Sequence, residues 1–132
     1  MDPPGTGGDL DAHATRLDEA ALDKLRELDP DGRRGVVKRV LMAFDSSLER
    51  WISQLEGQPD PPDAAALAAV VHIAHTLKSS ASSVGAKDLA RACAEVELWL
   101  RNGDPVDLPR EIQRMVSMGR AALAAVRAML RH

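Results

Sequence analysis

Apolar residues recur at spacings of three and four along most of this chain, the repeat of an amphipathic helix rather than of a strand. Leu17, Ala21, Leu25 and Leu28 mark a short first helix over about 16–28, closed by a turn at Asp29, Pro30, Asp31 and Gly32. Val37, Val40, Leu41, Phe44, Leu48, Trp51 and Leu55 form one stripe along a second helix, about 34–56, ended by Gly57 and the proline-rich 59–62 stretch. A third helix follows Asp63 as N-cap, buries Leu67, Val70, Ala74, Leu77, Ala81 and Val84, and stops at Gly85. A fourth, about 87–101, turns Leu89, Cys93, Val96 and Leu100 inward before Asn102 and Gly103. A fifth, about 109–130 with Asp107 as a cap, carries Ile112, Met115, Val116, Ala122, Leu123, Val126 and Leu130. The pattern predicts an all-α fold: four long helices, each apolar on one side and joined by short loops, packed as an antiparallel four-helix bundle. The short first helix caps one end. Residues 1–14, with two prolines, three glycines and little apolar material, read as a disordered lead-in, and residues 15–132 as the bundle.

Composition agrees with that picture. The chain has 132 residues, 45% of them apolar, enough for one domain with a packed core. Phe44, Trp51 and Trp99 are its whole aromatic set, whereas a β-sandwich draws on more aromatic and β-branched residues. Net charge is −3 and the basic residues form no stripe, which argues against nucleic acid as a partner. Cys93 is the single cysteine, so no internal disulfide forms, and its apolar face makes it a small core residue. No apolar run approaches the ~18 residues of a membrane span, and no basic start precedes an apolar segment. A cytoplasmic protein without a membrane partner is expected. Arg120, Arg127 and Arg131 are expected to favour the C-terminal end of the last helix electrostatically.

The chemistry concentrates in 71–97, VHIAHTLKSSASSVGAKDLARACAEVE. At ~100° per residue, His75 points roughly 140° away from the centre of the buried stripe. Lys78 stands one turn on, nearer the core, and Ser79 and Ser82 flank the histidine. A phosphoryl-accepting histidine needs an accessible and partly neutral ring, since a nitrogen lone pair is the nucleophile. An unperturbed imidazole, with a pKa of about 6.5, meets the second requirement near neutral pH. Lys78 at i+3 can meet the incoming negative charge. Serines at 79, 80, 82 and 83 are indifferent helix formers, so propensity is a poor reason for placing them there; they are short enough to let another protein reach the ring.

His75, Thr76, Leu77, Lys78 and Ser79, followed by Gly85 and Ala86, resemble the hallmark of the histidine phosphotransfer domain of two-component phosphorelay signalling. That hallmark is a histidine, any residue, a leucine, a lysine and a small residue, then a helix-ending glycine. Leu89, Cys93 and Glu97 look like the family's next helix. The resemblance extends from about Leu17 to the end, with its specific part at 75–85. Ser79 departs from the glycine usual after the lysine, which crowds the approach slightly. The resemblance implies His75 as the phosphorylated residue, through Nε2, and Lys78 as its phosphate-stabilising partner, with Ser79 and Ser82 leaving room or donating hydrogen bonds. It further implies a carrier, not an enzyme, that takes a phosphoryl group from a receiver-domain aspartate and passes it to another. The expected partners are the receiver domain of a hybrid sensor kinase and a response regulator. The chain itself is expected to be a monomer without a cofactor, Mg²⁺ being held by the receiver.

Other readings are weaker. His72 and His75 have the spacing of two metal ligands on one helical side, but no Glu-x-x-His occurs to complete a bundle-core metal site. His72 reads as a solvated neighbour. A dimerising kinase bundle usually has an acidic residue after its histidine and a proline a few positions on; here Thr76 follows, and the next proline is Pro105. No phosphate-binding G-x-x-x-x-G-K-[ST] loop is present, so phosphorylation from ATP is not expected. The alternative from a different class is a non-catalytic helical adaptor that binds a signalling partner without phosphotransfer.

Overall fold

The computed structural model describes residues 17–131. The expected lead-in at 1–14 lies outside the described residues, as does Arg16. Among the described residues there are five helices and no strand: α1 (Glu19–Glu27), α2 (Val36–Glu56), α3 (Ala64–Ser83), α4 (Lys87–Asn102) and α5 (Leu108–Leu130). The four long helices form the expected bundle. α3 packs most extensively on α4 and α2 on α5, with lesser α4–α5 and α2–α3 contacts closing the ring; α1 lies against α2 and α3.

Helix starts follow side-chain caps. Asp63 accepts from the Ala66 amide at 2.8 Å and Asp107 from the Arg110 amide at 3.3 Å. α2 begins two residues later than its apolar pattern predicts. The buried Asp29 accepts from the amides of Arg34 and Val36, both at 3.2 Å, and so holds the preceding turn outside the helix. A residue read only as part of a turn is therefore what sets where α2 begins.

The core draws on every helix and corrects several expected positions. Leu22, not Leu28, is the buried residue of α1; Leu28 is 58% exposed beyond the last helical turn. Ile52 is buried in α2 where Trp51 is half-buried. In α3 the inward stripe is Ala66, Val70, Ile73, Ala74, Leu77 and Ala81. Leu67 sits about 70° from the centre of that stripe, at ~100° per residue, and is 41% exposed. Gly119 of α5 lies so close to α2 that an added Cβ would stand 3.2 Å from the Ile52 side chain. Of the arginines expected at the end of α5, Arg127 lies in its last turn and Arg120 well before it. They cross to α2, where Arg120 bonds Glu56 at 2.7 Å and Arg127 bonds Asp45 and Glu49 at 3.0–3.2 Å.

The α3–α4 turn fixes the end of the helix that carries the histidine. Gly85 adopts φ +82°, and the Ala86 amide reaches back to the Ala81 carbonyl at 2.8 Å, satisfying a carbonyl of the last turn. The Gly85 carbonyl accepts from the Asp18 amide at 2.8 Å, which brings the backbone before α1 against the turn. A Cβ on Gly85 would stand 2.5 Å from that same amide nitrogen. Gly85→Ala is therefore expected to destabilise the fold by about 1–3 kcal/mol, combining a left-handed backbone with a backbone clash. Chemical denaturation checks this; an unchanged midpoint would contradict the packing of α1 on this turn.

Candidate functional site

His75 and Lys78 project from the same side of α3, one turn apart, where α4 runs alongside. Their side chains are 58% and 38% exposed. Both turn a nitrogen to Glu97 of α4, which is only 5% exposed. His75 Nδ1 lies 2.7 Å from Glu97 Oε2, and Lys78 Nζ donates to Oε1 at 2.6 Å. Arg101, one turn further along α4, donates its Nε to Oε2 at 2.9 Å. A single buried carboxylate thus collects three nitrogen groups from two helices.

This geometry determines what the imidazole can do. An ionised carboxylate only accepts hydrogen bonds, so Nδ1 carries the proton that lies between it and Oε2. In the neutral ring Nε2 is then the nitrogen with the free lone pair, on the side of the ring away from Glu97. The ring is held at Nδ1, and its side chain is otherwise largely exposed. Ionisation of Glu97 is itself secured by its neighbours. The Lys78 ammonium foremost, and then the Arg101 and His75 hydrogen bonds, outweigh the upward push of burial and bring the carboxyl from its ordinary 4.5 down to about 2.

The expected serines have different surroundings. Ser79 and Ser82 are both exposed. Ser79 follows His75 by about one turn and accepts at its carbonyl from Ser83 Oγ at 3.0 Å. Ser82 lies about two turns, or ~10 Å, beyond His75, where with Ser83 it lines a groove against Asp18, Ala21, Lys24 and Leu25. Among the described residues the ring's hydrogen-bond partner is Glu97 and not a serine. His72 is exposed and meets the Trp51 ring edge-on, with centroids 5.8 Å apart. Among the described residues no three His, Cys, Asp or Glu side chains are grouped to hold a metal ion. Cys93 is fully buried, and burial pushes its thiol up to about 12, so it is no nucleophile at neutral pH.

Glu97 is the site residue that the local pattern of α3 does not point to, although it belongs to the stretch that looks like the family's next helix. A usable signal was present. Glu97 stands four residues after the inward-facing Cys93 and beside Val96, so it lies at the edge of the apolar side of α4, where a charge needs a partner.

With this geometry in place, comparison with known proteins identifies the family. The model of the Hpt domain matches residues 39–131, most of the chain. The chain belongs to the Hpt domain family. As an Hpt domain protein it is a histidine phosphotransfer carrier of phosphorelay signalling, and Hpt domains interact with receiver domains. Among solved structures it is similar to histidine-containing phosphotransfer protein B (HptB) from Pseudomonas aeruginosa PAO1. The two share 26% identity with a TM-score of 0.69, over 88% of this chain and 96% of the HptB chain. No curated protein matches significantly. No described helix of this Hpt domain protein is long and apolar enough to cross a membrane.

The depressed Glu97 value fixes the sign of an acid response. Between about 4.5 and about 2 the unfolded chain binds a proton that folded Glu97 refuses, so stability rises with pH across that window. The contribution is complete above about 4.5 and is lost as pH falls towards about 2. Glu97→Gln is expected to flatten this part of the acid-denaturation curve relative to the wild type; identical slopes would remove Glu97 from the balance.

Proposed function

We propose that His75 is the residue that carries the phosphoryl group. It accepts the group from an aspartyl phosphate on the receiver domain of a hybrid sensor kinase and delivers it to the aspartate of a response regulator. The observation that carries this reading is the His75–Glu97 pair: a half-exposed imidazole whose inner nitrogen is bonded to a buried carboxylate, leaving Nε2 directed outward. In the forward step the Nε2 lone pair attacks phosphorus in line. The O–P bond of the aspartyl phosphate breaks, and its electron pair stays on the departing carboxylate. The reverse step repeats this with the second receiver. Mg²⁺ held by the receiver screens the phosphoryl oxygens on that side.

On this side Lys78 supplies the charge. Its ammonium is 2.6 Å from Glu97 yet 38% exposed, within reach of an oxygen on the Nε2 phosphoryl group by a change of rotamer. Ser79 and Ser82 keep the approach to the ring low. The proposed chain works as a monomer in the cytoplasm and takes its phosphoryl group only from a receiver, not from ATP. It needs no cofactor of its own and does not turn over a substrate.

Incubation with a phosphorylated receiver is expected to place an acid-labile, base-stable label on this chain. His75→Gln abolishes the label and His72→Gln retains it; labelling that persists in the His75 variant overturns the site, and a chain that binds the receiver but never takes label is an adaptor. Lys78→Ala is expected to slow transfer about ten- to a hundred-fold, the size of one charge-assisted hydrogen bond, with the helical fold intact. Stopped transfer assays at several times measure this, and unchanged rates would remove Lys78 from the mechanism.

A further inference from the structure

We propose that Glu97 keeps a proton on His75 Nδ1 in the phosphorylated state as well as in the free state, so that the phosphoryl group enters and leaves Nε2 with no proton transfer at all. The inference rests on His75 being the phosphoryl acceptor and specifies what its positioning partner does.

The argument follows the proton through one cycle. In the free ring Nδ1–H donates to Glu97 Oε2 at 2.7 Å and Nε2 holds the lone pair. When Nε2 bonds to phosphorus, the ring takes on the positive charge of an imidazolium. If Nδ1 then released its proton, its new lone pair would face an ionised oxygen at hydrogen-bond distance, with nothing between two acceptors. Retaining the proton keeps the hydrogen bond and sets the ring's positive charge against the carboxylate. Glu97 is buried, so its charge is met by the groups bonded to it rather than by water, and the ring at 2.7 Å is one of them.

The departure step depends on that proton. A phosphorylated ring bearing Nδ1–H leaves as neutral imidazole: the N–P electron pair returns to Nε2 while the receiver's carboxylate forms the new O–P bond. A ring without the proton would have to leave as an anionic imidazolate, a far poorer leaving group. With the proton fixed, arrival and departure are mirror images. Neither takes up nor releases a proton, and no separate general acid or base is needed at the interface.

The other charged groups around the ring are compatible with this role. On α3, Lys78 follows His75 by about one turn and His72 precedes it; on α4, Arg101 shares Oε2 with the ring. α2 presents Trp51 to His72, with the Arg50 guanidinium 5.7 Å from the Trp51 ring. α1 places Asp18 and Lys24 at the groove with Ser82, about two turns away. The two nearest cations oppose a positive ring, but in the free chain both are bound to Glu97 oxygens, and in the phosphorylated chain the phosphoryl dianion on Nε2 offsets them, Lys78 included once it turns to that group. Glu97, the carboxylate in contact with Nδ1, decides where the proton sits.

The test uses the full chain labelled with ¹⁵N-histidine and phosphorylated with phosphoramidate, followed by imidazole nitrogen shifts from pH 6 to 9. Phospho-His75 in the wild type is expected to hold its Nδ1 proton at pH 8. In Glu97→Gln, which keeps the size and an acceptor oxygen but loses the charge, the proton is expected to leave at least about one pH unit lower. In parallel, transfer from the phosphorylated chain to one receiver should slow about tenfold more for the variant than for the wild type as pH rises from 6 to 8.5. Equal titration of the two proteins overturns the role of Glu97. So does loss of the proton below about pH 7 in the wild type, which decides the matter even if the variant does not fold. A phosphoryl label found elsewhere than His75 overturns both this inference and the assignment of the carrier residue.

Discussion

The structure depends most on a carboxylate in the wrong place. Glu97 is nearly sealed within the bundle, where an unpaired negative charge would cost several kcal/mol. It is tolerable because Lys78 and His75 reach it from α3 and Arg101 reaches it from one turn along α4. That condition ties α3 to α4 in one register. A slide by one turn, ~5.4 Å, would carry both α3 nitrogens out of hydrogen-bond range and leave the charge buried with Arg101 alone. The apolar core brings the helices together, and the ionic cluster selects the alignment that brings His75 to Glu97.

The same cluster separates the two ends of the imidazole. One nitrogen is bonded to a buried carboxylate and the other is not. A carrier has to be accessible to a second protein, yet accessibility usually brings rotamer freedom that must be lost on docking. Anchoring Nδ1 from below removes much of that freedom in advance while leaving Nε2 uncovered. Lys78 is likewise bound at rest and still exposed enough to turn outward, so the free carrier does not present an isolated ammonium next to His75.

The helix count, the bundle and the outward face of His75 were all legible from apolar spacing, because that spacing records burial directly. Lys78 was legible as a neighbour of His75, since i and i+3 share a helical side. The errors came from two sources. Where neighbouring positions compete for one face, as at Leu67 against Ala66 and Ile73, residue size misleads and rotation about the helix axis decides. Where the deciding interaction joins distant residues, local pattern says nothing. Asp29 caps a helix seven residues away, Arg127 crosses to Asp45, and His75 finds Glu97 twenty-two positions on. The exposed histidine is therefore visible in one helix, while the group that orients its ring becomes apparent only when two helices lie side by side.

The matched Hpt domain region begins at residue 39, which leaves α1 and the cap of α2 outside it. These parts are nevertheless integral to the fold around the site. Leu22 is 1% exposed in the common core, and the Asp18 amide is bonded to Gly85, the residue that turns α3 into α4. Asp18 also pairs with Lys87 in the first turn of α4 at 3.4 Å. The backbone before α1 thus clasps both helices at the turn that joins them. Since the His75–Glu97 distance is set by the relative placement of those two helices, a clasp at their junction acts on the His75 ring without touching it. The glycine at position 85 serves this directly: it ends α3 and, lacking a side chain, also admits the strand of backbone that holds α3 and α4 together.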